Sequence, residues 1–277
     1  MPDDTSLSDL TVAIPTRDDD PDVLALALDA IRAQAVRQPT LIVDMSRGDA
    51  VREVANARAD SVRYVPYPES SGTSDSRNRL VELADTRYLL FLDADAVPRP
   101  GWAQAMRRAL DRDERTAIVG ARCLPVWTGR VPRLFETGPA LDMLGMLDLG
   151  PEPLEVPRMM GTSYALDLER LPVPPFSTKL GRRPGSFLAA EEVDLCIAVR
   201  SSGWRVLYEP NAIVDHHVRS ERHSWRWMLR RAFMAGRESR RIPDRLEPLP
   251  RPRTARDTVF LAAISPWYLA GRLKGWT

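Results

Sequence analysis

The chain has 277 residues, 44% of them hydrophobic and 28% charged, with a formal net charge of +1. That is ordinary globular composition, sized for one large α/β domain or two small ones, and the near-zero charge excludes a whole-molecule bias toward nucleic acid. Two cysteines, Cys123 and Cys196, stand far apart without a Cys-x-x-Cys pattern, which argues against a disulfide framework or a structural zinc site.

The first ten residues, MPDDTSLSDL, are polar and acidic. No basic region leads into an apolar core, and no run reaches about 18 apolar residues, so neither a signal peptide nor a spanning helix is expected. The expected location is cytoplasmic. Basic residues are nearly all Arg, with Lys179 and Lys274 the two lysines.

In chain order, residues 11–15 (TVAIP) predict a short buried strand. Asp20 followed by Pro21 predicts an N-cap and a first-turn proline. Leu24, Leu28, Ile31 and Ala35 then follow at helical spacing. Residues 41–44 (LIVD) predict a second strand ending in an acid, residues 48–58 a polar helix, and Val62–Val65 a third strand. Ser70, Ser71 and Gly72 predict a loop, and residues 74–84 a helix. Tyr88–Leu92 predict a strand that ends abruptly in Asp93-Ala94-Asp95. Strand–helix alternation of this kind implies right-handed crossovers and a largely parallel sheet. In such sheets ligands sit outside the carboxyl ends of the strands, where Asp44, Asp93 and Asp95 are placed.

A helix is expected at about 101–112, a strand at 117–121, and loops or short helices over 126–158. Met159–Leu166 predict a further strand, followed by a Pro- and Gly-rich stretch over 171–186. A helix at about 191–202 stops at Gly203, and 204–208 and 212–214 predict two short strands. From residue 219 the character changes. Trp225, Met228, Leu229, Ala232, Phe233 and Gly236 share one helical face. Residues 219–256 carry twelve Arg against four acids. A Pro-rich linker (243–252) leads to an apolar stretch, Val259–Leu273, with Trp267 and Tyr268.

In an extended chain, Asp93 and Asp95 point to the same side and can converge on one cation. Hard divalent cations take oxygen ligands, and magnesium is bound through one or two carboxylates plus substrate phosphates and water. The plain alternative is a pair of turn aspartates.

The order AIPTRDD, VDMSRGD, GTSDSRN, FLDADAVPRPGW, AEEVDL, PNAIVDH along the chain resembles the family 2 glycosyltransferases, nucleotide-sugar-dependent enzymes of the GT-A fold. By motif order the resemblance covers roughly residues 10–218. It implies an α/β, Rossmann-like, mainly parallel sheet flanked by helices, with a helical C-terminal tail beyond it. The expected division is a catalytic domain over 1–218 (nucleotide half about 10–102, acceptor half about 103–218) and a basic extension over 219–277. The donor is a nucleotide-diphosphate sugar, with UDP as the expected nucleotide, and the cofactor is Mn2+ or Mg2+.

The resemblance also implies site residues. Pro15, Thr16, Arg17, Asp44, Gly72, Arg77, Asp93, Ala94 and Asp95 fall on the donor nucleotide. Asp95, with Asp93 and His216, falls on the metal, although His217 competes with its neighbour. Glu191-Glu192 stands where the family has Glu-Asp, which makes Glu192 the expected general base and leaves Glu191 open. Both could instead be first-turn acids of a helix. Trp102, Gly161, Thr162 and Ser163 match, more loosely, positions near the sugar and acceptor. Leu80 departs from the family, which often has Gly after Arg-Asn.

The implied reaction is an inverting transfer to an acceptor hydroxyl on a saccharide, a lipid-linked saccharide or a small natural product. One rival is a nucleotidyltransferase, which would want a Gly-rich basic phosphate loop where AIPTRDDD has no glycine. Another is a non-catalytic nucleotide-binding protein. For the tail three readings stand: a peripheral contact with anionic lipid at the inner membrane face or with a lipid-linked acceptor, packing on the catalytic domain with solvated Arg outside, or a homodimer contact.

Overall fold

The computed structural model describes residues 9–34, 39–181, 190–240 and 252–274. Four strands, β1 (Leu10–Thr16), β2 (Thr40–Asp44), β3 (Val62–Pro66) and β4 (Tyr88–Leu92), pair in parallel in the spatial order 3-2-1-4. The helices α1 (Pro21–Arg32), α2 (Ala50–Asn56) and α3 (Thr73–Leu83) make the crossovers. Asp20 caps α1 by accepting the Asp22 N–H at 3.0 Å, and Pro21 opens the helix. Ala35, expected on the same face as Leu24, Leu28 and Ile31, lies outside the described residues.

β4 has no polar alternation, the pattern of a strand covered on both sides. Leu90 and Leu92 join the core formed with α1, α2 and α4 (Trp102–Asp111), while Leu89 and Phe91 join the opposite core beneath α3 and α6 (Glu191–Ser201). The strand's twofold period distributes its side chains between the two layers.

The second half of the sheet departs from parallel. After the short β5 (Ala96–Pro98) come β6 (Thr116–Trp127), α5 (Gly138–Met143), β7 (Leu154–Glu155), β8 (Ser163–Asp167) and β9 (Arg205–Val218). β8 runs antiparallel between β4 and β6, β9 lies parallel to β6, and β5 and β7 pair antiparallel with β9. The strand expected at 117–121 extends to Trp127. The one expected over 159–166 starts only at Ser163, because residues 161–162 form a turn. The two short strands expected at 204–208 and 212–214 are a single strand with a local irregularity. Ala121 pairs with Glu209 and the next residue, Arg122, with Ile213. Pro210 falls within that bulge, where a missing N–H costs no ladder bond, and Glu209 accepts the Asn211 N–H at 3.1 Å.

Beyond β9, α7 (Trp225–Glu238) and α8 (Ala255–Leu273) pack on each other and on the catalytic part. Met228 and Ala232 of α7 and Phe260, Leu261 and Ile264 of α8 share a core with Phe135, Ala140, Leu144 and Met146. The packing reading of the tail therefore holds for the apolar face of α7. Most of the Pro-rich linker lies outside the described residues. The two helices cross at glycine. A Cβ at Gly236 would collide with the Tyr268 carbonyl oxygen, and one at Gly271 with that of Phe233.

Backbone, unlike a flexible side chain, cannot give way cheaply at these crossings. Gly236→Ala is therefore expected to cost about 1–3 kcal/mol, the usual range for overpacking. A thermal melt with an unchanged midpoint would refute this close crossing.

Candidate active site

Several chain segments end at the carboxyl edge of the parallel strands. At the end of β1, Thr16 Oγ1 and the Arg17 N–H donate to Asp19 Oδ2 at 2.9 and 3.1 Å, which folds the acidic run back on the strand. Asp18 takes a left-handed conformation (φ 51°) to make that turn. Arg17 reaches the Ser70 carbonyl at 3.3 Å.

Asp93, Ala94 and Asp95 form the turn from β4 into β5, closed by the Ala96 N–H donating to the Asp93 carbonyl at 3.0 Å. The aspartates therefore do not project from an extended strand, as expected, but diverge from a turn. Asp93 faces Arg77, with Nη2 and Oδ1 3.7 Å apart. Asp95 faces the β9 side, where the register places His216 beside Ala96. His216 Nε2 lies 3.2 Å from Asp95 Oδ1, and Arg222 stands 3.6 Å from the other oxygen. His216 Nδ1, buried, has no hydrogen-bond partner among the described residues. His217 contributes its backbone N–H to the Asp95 carbonyl at 2.8 Å. Of the two candidates, His216 faces the carboxylate.

These charges pull the two acids apart. Burial pushes the Asp93 carboxyl up, to about 6; Asp95 adds to the rise and Arg77 opposes it. Burial acts upward on Asp95 too, but His216, then Arg222 and Arg219, outweigh it and hold that carboxyl well below the usual range. Asp19 is raised by burial and by Asp95, although Arg219 pairs with it.

On the other side, α6 begins at Glu191-Glu192. Glu191 is 2% exposed and accepts the N–H of Ala190 and an Arg77 N–H at 2.9 and 2.8 Å. Glu192 is 12% exposed, faces the cavity and also pairs with Arg77. Arg77 comes from α3 and lies 5.8 Å from the ring centres of both Tyr164 and Phe176. A Cβ at Gly161 would collide with Glu192 Oε1, so only glycine allows this approach.

One cavity of about 1330 Å³ unites Pro15, Arg17, Arg77, Asp93, Ala94, Asp95, Gly161, Thr162, Glu191, Glu192 and His216. Other expected site residues stand behind its wall. Thr16 is buried and holds Asp19. Asp44 is 1% exposed and is occupied by the Tyr64 hydroxyl and the Ser46 N–H, both at 2.8 Å. Gly72 leaves its place on the wall to Thr73. Trp102 and Ser163, expected near the acceptor, are fully buried and bond each other through Nε1 and Oγ at 3.0 Å, bracing the sheet under the site. Arg77, expected at the nucleotide, is committed to the acids. Sequence reasoning missed Asp19, Arg219 and Arg222. The run RDDD and the arginines after PNAIVDHH were the available signals.

A model of the family "Glycosyl transferase family 2" matches residues 11–137. The chain is similar to a glucosyl-dolichyl phosphate glucuronosyltransferase of Haloferax volcanii, 28% identical over 210 residues covering 74% of this chain and 66% of that protein. It is also similar to a pre-mycofactocin glycosyltransferase of Mycobacterium tuberculosis, 27% identical over 254 residues covering 90% of this chain and 51% of that protein.

Residues 11–137 are thus a glycosyltransferase family 2 segment.

The chain spans roughly half to two thirds of the length of these curated relatives. The chain also shares its fold with two solved structures. One is a mannosyltransferase from Pyrobaculum calidifontis in complex with GDP-Man and Mn2+ (TM-score 0.62, 21% identity, covering 96% of this chain and 71% of that one). The other is GalNAc-T7 with UDP, GalNAc and Mn2+ (TM-score 0.63, 14% identity, covering 96% and 56%). Both likenesses confirm the GT-A fold.

Arg77 offsets the charge of Glu191, Glu192 and Asp93 in one buried site. Removing one partner of a buried ion pair typically costs about 3–5 kcal/mol. Arg77→Met is expected to lose stability in that range in a urea unfolding curve, and a midpoint within error of the parent would contradict it.

Proposed function

We propose that this glycosyltransferase moves a sugar from a nucleotide-diphosphate donor to an acceptor hydroxyl with inversion, using Glu192 as general base. The observation that carries the reading is convergence. The Asp93-Ala94-Asp95 turn, His216 and Glu192 come from three distant chain segments and face one cavity.

The residues present fit a divalent cation. His216 is a buried imidazole whose Nε2 faces the Asp95 carboxylate at 3.2 Å and whose Nδ1 has no hydrogen-bond partner among the described residues. Asp95 and His216 would hold the ion. Among the described residues no group of three or more His, Cys, Asp or Glu side chains is placed to enclose a metal. An ion held by two side chains would keep water and substrate phosphates as its remaining ligands. When bound, such an ion stabilises the charge that develops on the departing diphosphate.

The chain's own residues do the rest. Arg222 and Arg219, near Asp95 and Asp19, add positive charge on the diphosphate side. Arg77 fixes the Glu192 carboxylate against Gly161. Glu192 takes the proton of the acceptor hydroxyl as its oxygen attacks the anomeric carbon on the face opposite the leaving group. Inversion follows from that single displacement. Both acids pair with Arg77, but Glu191 also accepts the Ala190 N–H and is 2% exposed, whereas Glu192 is 12% exposed, which favours Glu192 as the base. UDP- and GDP-sugars are the first donors to test, since the two structural neighbours carry one nucleotide each. We place catalysis in residues 1–218 and treat 219–277 as an extension that completes the cavity.

Losing a general base typically costs about 10²–10⁴ in rate. Glu192→Gln is expected to lower kcat within that range, with donor binding retained, and chelation should abolish turnover until Mn2+ or Mg2+ is restored. Full turnover in either case would overturn the assignment.

The outward face of α8 supports a peripheral membrane role. Val259, Trp267, Leu269 and Leu273 are 55%, 48%, 55% and 83% exposed, with Arg256 and Lys274 exposed beside them. An apolar stripe flanked by cations suits an anionic lipid surface. No described helix is long and apolar enough to cross a membrane. The protein should pellet with anionic vesicles at low salt, and Trp267→Asp should reduce the bound fraction. Absence of pelleting at low salt removes this role.

A further inference from the structure

A histidine that ligates a metal usually has its second ring nitrogen fixed by a hydrogen bond, which sets the orientation of the ring. His216 Nδ1 has no such partner among the described residues. Packing therefore has to orient this buried imidazole. One contact comes from the segment after α5. Gly145 has φ 86°, a conformation that favours glycine. A Cβ there would stand 3.6 Å from His216 Cε1, in ordinary van der Waals range, and 3.0 Å from Thr162 Oγ1, which is tighter. The Gly145 backbone thus lies against the edge of the ring.

The same segment is bonded to the aspartate turn. Thr162 Oγ1 donates to the Gly145 carbonyl at 2.9 Å, and the Asp93 N–H donates to the Thr162 carbonyl, also at 2.9 Å. Thr162 therefore links Gly145 to the turn that carries Asp93 and Asp95. Leu147 exchanges two backbone hydrogen bonds with Cys123 of β6, at 2.9 and 3.2 Å, which fixes the end of the segment on the sheet. The side chains flanking Gly145 have other neighbours. Leu144 and Met146, 3% and 4% exposed, belong to the core that holds Met228 and Ala232 of α7 and Phe260, Leu261 and Ile264 of α8. A close-packed core yields little, so a shift of either helix is passed on to residues 144–146.

We propose that Gly145 and Thr162 are positioning residues for the cation site, and that the α7–α8 extension acts on cation affinity through Leu144 and Met146. The proposal rests on the reading of Asp95 and His216 as the groups that hold the ion. The four residues act through the imidazole and the aspartate turn, by fixing where each stands. The extension is thereby tied to the chemistry at Asp95, through a path of packed side chains and two hydrogen bonds.

Mn2+ binding to the full chain tests this, read from the loss of the free-ion signal in electron paramagnetic resonance with excess UDP and, separately, excess GDP. Changing a group that orients a metal ligand typically costs about 10- to 100-fold in affinity. Thr162→Val, which removes the hydroxyl, is expected to weaken Mn2+ binding in that range. Thr162→Ser, which keeps the hydroxyl, is expected to match the parent. Gly145→Ala serves where Thr162→Val fails to fold. Met146→Ala should also weaken binding. Leu28→Ala, a truncation in the separate core beneath α1, controls for lost stability and should leave Mn2+ affinity unchanged. Parent-like affinity in Thr162→Val, or in Gly145→Ala in its place, would overturn the proposal. So would an equal loss in Thr162→Ser and Thr162→Val, or a loss in Met146→Ala no larger than in Leu28→Ala. Parent-like Mn2+ affinity in His216→Ala would refute the cation reading itself, and this inference with it.

Discussion

A guanidinium with 3% of its side chain exposed stands among Glu191, Glu192 and Asp93, between two aromatic rings. Taking such charges out of water is costly and is offset only when partners and geometry are complete. The surroundings of Arg77 can be understood as meeting that condition. Glu191 is further satisfied by the backbone at the start of α6. Gly161 leaves room for Glu192. Asn78, the next residue on α3, exchanges two hydrogen bonds with the Phe176 backbone at 2.8 and 3.0 Å, which keeps that ring against the arginine. Three elements distant in sequence are thereby held at one point, and the candidate base acquires a fixed orientation.

The departure from a parallel sheet serves the same edge. Because β8 runs antiparallel to β4, its beginning lies beside the end of β4, and the Asp93 N–H donates to the Thr162 carbonyl at 2.9 Å. An all-parallel arrangement would have placed residues 161–162 at the opposite end of the sheet. Similarly, antiparallel pairing of β5 with β9 delivers His216 to Asp95. The reversed strands gather residues that a purely Rossmann-like order would have separated.

The C-terminal helices are part of this architecture. Their contact with α5 forms a third core, and several of its residues, among them Leu144, Met146 and Leu261, also border the cavity. Stability of the extension and the shape of the cavity are consequently coupled, because these side chains serve both.

Much was legible in the sequence. The short apolar runs β1 to β4, the cap at Asp20, the helix opening at Glu191 and the stop at Gly203 follow from local periodicity and turn chemistry. The grouping of Asp93, Asp95, Glu192 and His216 followed from the order of motifs. What could not be read was direction and contact. Trp102 and Ser163 look like binding residues until the fold buries them against each other, and Asp44 is occupied by Tyr64, a partner on the neighbouring strand. Arg77 is an exposed-type residue whose role depends on three acids, two of them more than a hundred positions away. The sequence by itself determined most of the strands and helices and which acids stand at their ends, because those depend on neighbours along the chain. Only the tertiary structure decided which side chains reach the cavity and which are spent on one another, because charge pairing and burial depend on neighbours in space.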